Sequence, residues 1–208
     1  MGFYVKHILP WIAEQFLSLP GVQEQRRPAL ALAWGRVLEI GFGFGGSVSM
    51  YPKNAGRIAW LVGLEPNPGM NRRARGRIAS APFPVELVRA SAETIPFEGG
   101  SFDAVVSNWT LCTIPDVRRA LHEVRRVLKP DGRFLFLEHG RAFDPRVARW
   151  QARLTPIHRR LAGGCRLDVP VDRVISESGF LIESLERYQG RPGPKVITQM
   201  YRGMARPV

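Results

Sequence analysis

The feature that most constrains the fold is an apolar segment that runs directly into a glycine-rich loop. Residues 37–46 read Val-Leu-Glu-Ile-Gly-Phe-Gly-Phe-Gly-Gly, with glycines at Gly41, Gly43 and Gly45 and an acid, Glu39, before them. Glycines at the end of a strand let the backbone turn sharply and let a ligand approach main-chain N–H groups. The spacing differs from the Gly-x-Gly-x-x-Gly of dinucleotide folds, and no Gly-Lys-Ser/Thr follows to hold phosphates. The loop therefore predicts a site for a nucleoside without phosphates.

A second apolar segment, residues 58–65, ends at Glu65. An acid about twenty residues after such a loop can accept hydrogen bonds from both ribose hydroxyls. Further strand patterns lie near 85–89, 102–107 and 133–138, and helical patterns lie near 46–51, 67–79 and 116–128. This alternation predicts a mainly parallel sheet whose ligand lies beyond the carboxyl ends of the strands.

The two ends of the chain carry further helical and strand patterns. A helix is predicted over Tyr4 to Leu17, ended by Pro20-Gly21, with a polar stretch and a short helix over 28–33 after it. The C-terminal patterns are a helix from Asp144-Pro145, a helix at 171–178, and strands at 181–188 and 196–205. Apolar residues at helical spacing on the first and third of these helices predict buried stripes, namely Ile8, Trp11, Ile12 and Phe16, and Val147, Trp150, Leu154 and Ile157. A lid or a membrane-facing surface is the alternative for the N-terminal helix.

The order of these motifs resembles the class I S-adenosylmethionine-dependent methyltransferases over residues 36–140. Besides the glycine loop and Glu65, the resemblance rests on Ser-Ala-Glu-Thr-Ile-Pro-Phe at 91–97, the strand at 101–108, and the helix, turn and strand at 121–139. It implies an α/β, Rossmann-like fold with a mainly parallel seven-stranded sheet and a C-terminal antiparallel hairpin. It also implies one domain over 1–208, divided into a helical lid at 1–33, a cofactor-binding core at 34–140, and an acceptor-side helix with the hairpin at 141–208.

The resemblance implies S-adenosylmethionine as methyl donor and S-adenosylhomocysteine as product. The positions implied to contact the cofactor are Glu39, Gly41, Gly43, Gly45, Glu65, Asn67, Met70, Ala92, Glu93, Asn108 and Trp109. The glycines would pass under the methionine part, and Glu39 would support the loop and the amino group. Asn67 and Met70 would lie beside the adenine, with Ala92 and Glu93 on its other edge. A core position for Met70 and a turn-capping role for Glu93 are the structural alternatives.

Few catalytic residues are expected, because a methyl sulfonium is already an activated electrophile and needs mainly alignment and exclusion of water. Asn108, with Trp109, would face the transferable methyl group. His139, which follows Glu138 at the end of the fifth strand pattern, is the candidate general base. A hydrogen-bonded structural histidine is an equal alternative at that position.

The acceptor is less constrained than the cofactor. Enzymes that methylate base amines carry Asn/Asp-Pro-Pro-aromatic after strand four, whereas residues 108–111 read Asn-Trp-Thr-Leu. Within the family, the motifs look like the branch of ubiquinone-type C-methyltransferases, phospholipid N-methyltransferases and thiol S-methyltransferases. We therefore expect a small or lipid-like acceptor, with a thiol or amine as the methylated group. A nucleic-acid methyltransferase or binder and a non-catalytic cofactor-binding module remain as alternatives.

The charge and the cysteines bear on partners and location. The net charge is +12, but 26 of the 30 basic residues are arginine, a bias that a GC-rich genome produces by itself. Cys112 and Cys165 are far apart in sequence, without a metal-ligand companion, so we expect neither a disulfide nor a metal site. No segment has the roughly 18–20 apolar residues of a membrane span. These features predict a cytoplasmic protein, with peripheral contact to the inner membrane face as an extension.

Overall fold

The computed structural model describes residues 4–208. The strands are β1 (Gly35–Ile40), β2 (Ile58–Leu64), β3 (Val85–Val88), β4 (Phe102–Asn108), β5 (Leu128–His139), β6 (Phe180–Gln189) and β7 (Gln199–Pro207). The α-helices are α1 (Leu9–Leu17), α2 (Pro20–Leu30), α3 (Pro68–Ala79), α4 (Val117–Val127), α5 (Pro145–Leu161) and α6 (Val171–Glu177). A π-helical turn, Tyr4–Ile8, precedes α1, and a 3₁₀ turn, Val48–Met50, follows the glycine loop.

The strands form one sheet in the order β3-β2-β1-β4-β5-β7-β6. The first five strands are parallel, and β7 is antiparallel to both β5 and β6. This confirms the predicted Rossmann-like fold with its C-terminal hairpin. The parallel register places Ile40 beside Leu64 and Ser107, and Asn108 beside Leu137. The predicted site residues therefore follow strand ends that meet at one edge of the sheet.

Helices cover both faces of the sheet, which explains why the parallel strands are predominantly apolar. Successive residues of β1 point to opposite faces. Val37 packs with Leu30 of α2 on one face, and Leu38 packs with Leu121 and Val124 of α4 on the other. The cores on the two faces hold the sheet rigidly, and the loops at its carboxyl edge carry the candidate site.

The prediction for the segment after α1 was wrong, because Pro20 begins a helix. Leu19 is extended, and Pro20 occupies the first turn, where proline has a suitable φ and its missing N–H is not needed. The buried face of α2 consists of Val22, Arg26, Ala29 and Leu30. An arginine in the middle of that face hides the apolar periodicity that predicts a helix.

Two smaller differences concern the ends of elements. The predicted helix at 46–51 is only the short 3₁₀ turn. The predicted turn at 129–132 lies within β5, because Leu128 already pairs with Phe102 before the register shifts. Neither difference moves the carboxyl ends of the strands.

The two predicted apolar stripes are largely exposed, so the expectation that they are core was wrong. On α1 and the turn before it, Ile8, Trp11 and Ile12 are exposed, Trp11 by 54%. On α5, Trp150 and Ile157 are 55% and 59% exposed, and the buried residues of that helix are Ala148 and Gln151. Gln151 is held by polar partners: its amide donates to the carbonyl of Gly140 and accepts from the N–H of Ala142. The helix therefore docks through polar contacts and leaves its apolar stripe outward.

Candidate functional site

The three glycines of the loop have different structural reasons. A Cβ on Gly41 would lie 2.2 Å from the side-chain hydroxyl of Thr110, and one on Gly45 would lie 3.2 Å from the ring of Phe42. A Cβ on Gly43 would meet nothing closer than a backbone oxygen at 3.8 Å. The fold itself requires glycine at the first and third positions, whereas Gly43 presents an open face, at a φ of 60°.

The two phenylalanines between the glycines are structural. Phe42 is buried against Gly63 of β2, where a Cβ would lie 2.4 Å from the ring. Phe44 is buried over Gly46, and the guanidinium of Arg77 lies 4.9 Å from its ring centroid. Both rings pack on the protein and hold the loop in shape.

Glu65, directly after β2, ties the glycine loop to the second strand. Its carboxylate accepts hydrogen bonds from the backbone N–H groups of Gly43, at 3.0 Å, and Asn67, at 2.8 Å. Burial raises the pKa of Glu65, and these two hydrogen bonds oppose the shift. A carboxylate has about four acceptor positions, so two remain for ribose hydroxyls.

The predicted adenine-side residues divide into helix-starting and loop-anchoring groups. Asn67 caps α3, with its side-chain oxygen accepting from the N–H of Gly69 at 2.9 Å, and Met70 is half-buried in the first turn. Ala92 packs in the core. Glu93 accepts from the hydroxyl of Ser91 and from the N–H of Asp116, which anchors the start of α4.

Glu39 is buried and supports the glycine loop through side chains. It accepts hydrogen bonds from the hydroxyls of Ser47, at 2.6 Å, and Tyr51, at 2.9 Å. Burial raises the pKa of Glu39, and the hydrogen bond from Ser47 and the charge of Arg26 oppose the shift. The carboxylate thus fixes the segment just after the loop.

Arg26 of α2 is a buried residue beside the predicted site residues that sequence reasoning missed. It is 5% exposed, and with the amide of Asn108 oriented to satisfy both groups, its Nε and Nη2 donate to the Asn108 oxygen at 2.9 and 3.2 Å. Its Nη1 is buried and has no hydrogen-bond partner in the described chain. The only sequence signal is an arginine at the helical spacing Val22, Arg26, Ala29. A buried cation therefore stands beside Glu39 and the end of β4.

Trp109 is the turning residue after β4 and has a φ of 58°, unusual for a bulky side chain. Its ring contacts Phe16 of α1, with centroids 5.7 Å apart, and His139, with centroids 6.3 Å apart. Its Nε1 is buried without a hydrogen-bond partner among residues 4–208. The structure thus brings together two predicted site residues, Trp109 and His139, with a ring from the N-terminal helix.

Glu138, beside His139, is buried and organises the loop after β4. It accepts hydrogen bonds from the hydroxyl of Ser107 and from the backbone N–H groups of Thr110 and Leu111. Burial raises its pKa to about 7, against the effect of these hydrogen bonds. Its partners show that it positions the loop.

The expectation that the cysteines stand apart was wrong. The Sγ atoms of Cys112 and Cys165 are 3.5 Å apart, and the Sγ of Cys165 lies 3.1 Å from Nε2 of His139. The hydrogen-bonded contact with Cys112, together with those to His139 and His158, holds the pKa of Cys165 well below its usual range. The same pairing and burial raise the pKa of Cys112. Sequence distance concealed this cluster, because the fold brings the segment after α5 to the end of β4.

Known methyltransferases are similar in sequence to the part of the chain that carries the site. Residues 38–136 match a family model described as a methyltransferase domain. A demethylmenaquinone methyltransferase of Symbiobacterium thermophilum is 29% identical over 68% of this chain and 61% of its own length. The human thiol S-methyltransferase TMT1A is 31% identical over 74% of this chain and 63% of its length. The UbiE C-methyltransferase of Brucella anthropi is 38% identical over 49% of this chain and 39% of its length. The chain thus spans less than two thirds of each of these curated relatives.

Solved structures share the fold. An S-adenosylmethionine-dependent methyltransferase of Thermotoga maritima superposes with a TM-score of 0.67 and 21% identity, over 98% of this chain and 99% of that one. The [4+2]-cyclase SpnF superposes with a TM-score of 0.68 and 18% identity, over 89% and 79% of the two chains. The glycine loop and Glu65 both lie within the matched segment, residues 38–136. Residues 38–136 therefore carry the sequence pattern of a methyltransferase domain, in a fold that these solved structures share.

Proposed function

We propose that this protein transfers the methyl group of S-adenosylmethionine to a thiol or amine group of a small, apolar or amphipathic acceptor. The observation that carries the proposal is the hydrogen bond from the backbone N–H of Gly43 to the carboxylate of Glu65, beside the open face of Gly43. It supplies a ribose acceptor and a backbone cradle at one edge of the sheet.

The cofactor would lie across the ends of β1 and β2. Glu65 binds the ribose, the glycine loop runs under the methionine part, and Asn67 and Met70 border the adenine. Arg26 supplies a buried cation for the methionine carboxylate, because its Nη1 makes no hydrogen bond within the described chain. A charge-assisted hydrogen bond of this kind is about twice as strong as a neutral one.

The acceptor would approach from the side of β4 and β5. Phe16, Trp109 and His139 form an aromatic group there, which suits an apolar acceptor. A thiol or amine is already nucleophilic and needs only one proton removed, with His139 as the candidate base. The names of two relatives, a thiol S-methyltransferase and a quinone C-methyltransferase, support a small acceptor and favour no single one.

An apolar stripe beside this region supports recruitment from a membrane surface. Trp150, Ile157 and Leu161 fall on one stripe of α5 at a spacing of seven and four residues, and all are more than half exposed. The stripe of α1 and its preceding turn adjoins it, since the hydroxyl of Tyr4 donates to the carbonyl of Leu161 at 2.8 Å. Two exposed apolar stripes thus form one surface, which we call the α1/α5 surface.

Charge on α5 favours an anionic lipid partner for the α1/α5 surface. Arg149, Arg153 and Arg160 share one flank of the apolar stripe at spacings of four and seven residues, and each is exposed. Basic groups beside an apolar helical face suit binding within an anionic interface, with each basic residue contributing about 1 kcal/mol. Among the described residues, none of the helices is long and apolar enough to cross a bilayer. We therefore propose contact with one leaflet.

Two other functions make different demands. A nucleic-acid methyltransferase would use the net charge of +12, but the exposed apolar stripe has no use against a phosphate backbone. A module that binds the cofactor without methyl transfer would keep the Glu65 site and need no acceptor. The cyclase with this fold shows that the architecture alone does not require methyl transfer.

The test is methyl transfer to a small alkyl thiol and to phosphatidylethanolamine, monitored by the formation of S-adenosylhomocysteine. Vesicles of phosphatidylcholine, with and without phosphatidylglycerol, are sedimented with the protein in parallel. We expect turnover of at least one acceptor and binding to the anionic vesicles, weakened by Trp150→Ser with Ile157→Ser. The exposed Leu181 of β6 gives the matched control, Leu181→Ser. Transfer to RNA, with neither lipid nor thiol methylated, would overturn the proposal.

A further inference from the structure

Three donor atoms from separate segments converge at the carboxyl ends of β4 and β5. Cys112 lies in the loop after β4, His139 ends β5, and Cys165 follows α5. The two Sγ atoms and Nε2 of the histidine lie within 4.8 Å of one another. The three residues are buried, with exposures of 2%, 6% and 9%. None of the three residues is among the positions predicted to contact the cofactor, although one of those positions, Trp109, packs against His139.

We propose that Cys112, His139 and Cys165 bind one Zn²⁺ ion. Two thiolates and an imidazole nitrogen are ligands that zinc prefers, at about 2.3 Å for sulfur and 2.0–2.1 Å for nitrogen. Tetrahedral angles at those lengths separate two sulfurs by about 3.8 Å and a sulfur from a nitrogen by about 3.6 Å. The observed separations are 3.5 and 3.1 Å. These two pairs of donors need to move apart by about half an ångström or less to admit the ion. The third pair, Sγ of Cys112 and Nε2 of His139, lies within 4.8 Å.

The backbone around the donors is already held in place. The N–H of Arg166 donates to the carbonyl of Cys112 at 2.9 Å, which joins the two cysteine-bearing loops. Nδ1 of His158 lies 3.1 Å from the carbonyl of Cys165 and can donate to it. The hydrogen bonds of Glu138 fix the N–H groups just before Cys112. A site held this way loses little chain entropy when the ion binds.

A disulfide is the competing use of the two cysteines. It would require the sulfurs to approach from 3.5 Å to about 2.05 Å and an oxidant to take up two electrons. It would make no use of the imidazole nitrogen that lies 3.1 Å from one of the sulfurs. The third donor favours the metal.

Metal binding has a consequence that rests on the proposed function. Nε2 of His139, once bound to zinc, cannot take a proton from an acceptor. The other ring nitrogen, Nδ1, is buried without a hydrogen-bond partner among residues 4–208. In a zinc-bound neutral imidazole this nitrogen carries the proton, so it can donate a hydrogen bond to the acceptor but cannot act as its base. Zinc binding itself does not depend on methyl transfer.

The test uses the full chain, freed of metal by a chelator and kept reduced by a phosphine. Zn²⁺ is titrated in competition with a chromophoric chelator, without cofactor or acceptor. We expect one ion per chain. We expect Cys112→Ala, Cys165→Ser and His139→Asn each to lower the affinity by at least about 100-fold, the upper end of what the loss of a group that only orients a ligand costs. The exposed His122 of α4 provides the matched control, His122→Ala, which should leave the affinity unchanged.

A second measurement on the unsubstituted chain covers variants that fail to fold. Zn²⁺ should protect both thiols from alkylation and should raise the Tm, because the ion binds the folded chain preferentially. Co²⁺ in its place should give the absorption of thiolate-bound tetrahedral cobalt. Absence of stoichiometric binding, thiols that stay reactive in Zn²⁺, or a Cys112–Cys165 disulfide in the reduced preparation would overturn the proposal. Cofactor binding measured on the same sample reports separately on the proposed function.

Discussion

The carboxylate of Glu65, just after β2, accepts a hydrogen bond from the backbone N–H of Gly43 across 3.0 Å. The acid and the loop are 22 residues apart in sequence and act as one unit in the fold. Whatever lies on the open face of Gly43 also lies against this carboxylate. The relationship makes the cofactor site testable at single residues.

Glu65→Ala should weaken binding of S-adenosylhomocysteine by about 1–3 kcal/mol, the range for lost charge-assisted hydrogen bonds. The measurement is isothermal calorimetry, with Tm recorded for each variant. Glu86, exposed on the neighbouring strand β3, gives the control Glu86→Ala, which should bind normally. Unchanged affinity in Glu65→Ala would place the ribose elsewhere.

Cofactor affinity should also depend on pH through Glu65. Burial raises the pKa of Glu65 in the folded protein, and ribose hydroxyls donate to its charged form. Cofactor affinity is therefore at its maximum above the raised pKa of Glu65 and falls as the pH drops through that pKa. The fall begins at a higher pH than it would for an ordinary glutamate. Glu65→Gln should remove this dependence in a calorimetric pH series. The same shift means that, without cofactor, Glu65 destabilises the fold progressively as the pH rises through this window.

Gly43→Ala should weaken cofactor binding, and Gly43→Val should weaken it further, because the added carbons enter the open face of the loop. Backbone strain contributes separately, since Gly43 has a φ of 60°. Gly56 has a φ of 76° and nothing within 4 Å of the place where a Cβ would lie, so Gly56→Ala measures strain alone. We expect both alanine variants to lose about 1 kcal/mol in free energy of unfolding and only Gly43→Ala to lose affinity. Equal cofactor affinities in Gly43→Ala and Gly56→Ala would contradict the proposal that the open face of Gly43 binds the cofactor.

Arg26→Met should lower affinity for S-adenosylhomocysteine by about 1.5–3 kcal/mol, the range for hydrogen bonds to charged groups. Methylthioadenosine lacks the amino-acid carboxylate, so its affinity should be nearly unchanged in the same variant. Arg27 is exposed on the same helix, and Arg27→Met is the control. A parallel loss for both ligands would show that Arg26 acts by supporting Glu39 and Asn108, without contacting the carboxylate.

The sequence predicts the strand ends well, because an apolar strand, a glycine turn and an acid are local signals. It predicts Glu65 for that reason. It does not predict Arg26, because a buried arginine interrupts the apolar periodicity of α2. The partners of Arg26, Glu39 and Asn108, lie on two other elements, β1 and β4, and their contacts with it are not visible in the sequence. The cluster of Cys112 and Cys165 also depends on a contact between segments 53 residues apart.

The sequence also fails to predict that the apolar stripes of α1 and α5 are exposed. Helical spacing shows that Trp150 and Ile157 share a face of α5, and it cannot show which face meets the protein. Burial of Gln151 between backbone groups of residues 140, 142 and 196 rotates that face outward. Polar docking of this kind leaves no mark in the hydrophobic pattern.

The N-terminal helix should act on the acceptor more than on the cofactor. Glu14 of α1 forms ion pairs with Arg73 and Arg77 of α3, at 2.5 and 2.7 Å, and Phe16 packs on Trp109. Burial alone would raise the pKa of Glu14, but the hydrogen bonds from Arg77 and Arg73 outweigh it and lower the pKa. The ion pairs thus stabilise docking above the ordinary pKa of a glutamate, and this stability is lost as the pH falls through the lowered value.

Removal of the first 19 residues should therefore reduce kcat/KM for the acceptor by at least about tenfold, which corresponds to 1.4 kcal/mol, and reduce cofactor affinity less. Phe16→Ala should reduce kcat/KM by about two- to tenfold, the range expected for an aromatic pair. Glu14→Gln should reduce it by up to about fivefold, as for a partly exposed ion pair. The exposed Gln15 supplies the control, Gln15→Ala. Calorimetry and acceptor kinetics on the same preparations decide the matter, since equal loss of both properties, or of neither, is incompatible with a lid that acts mainly on the acceptor.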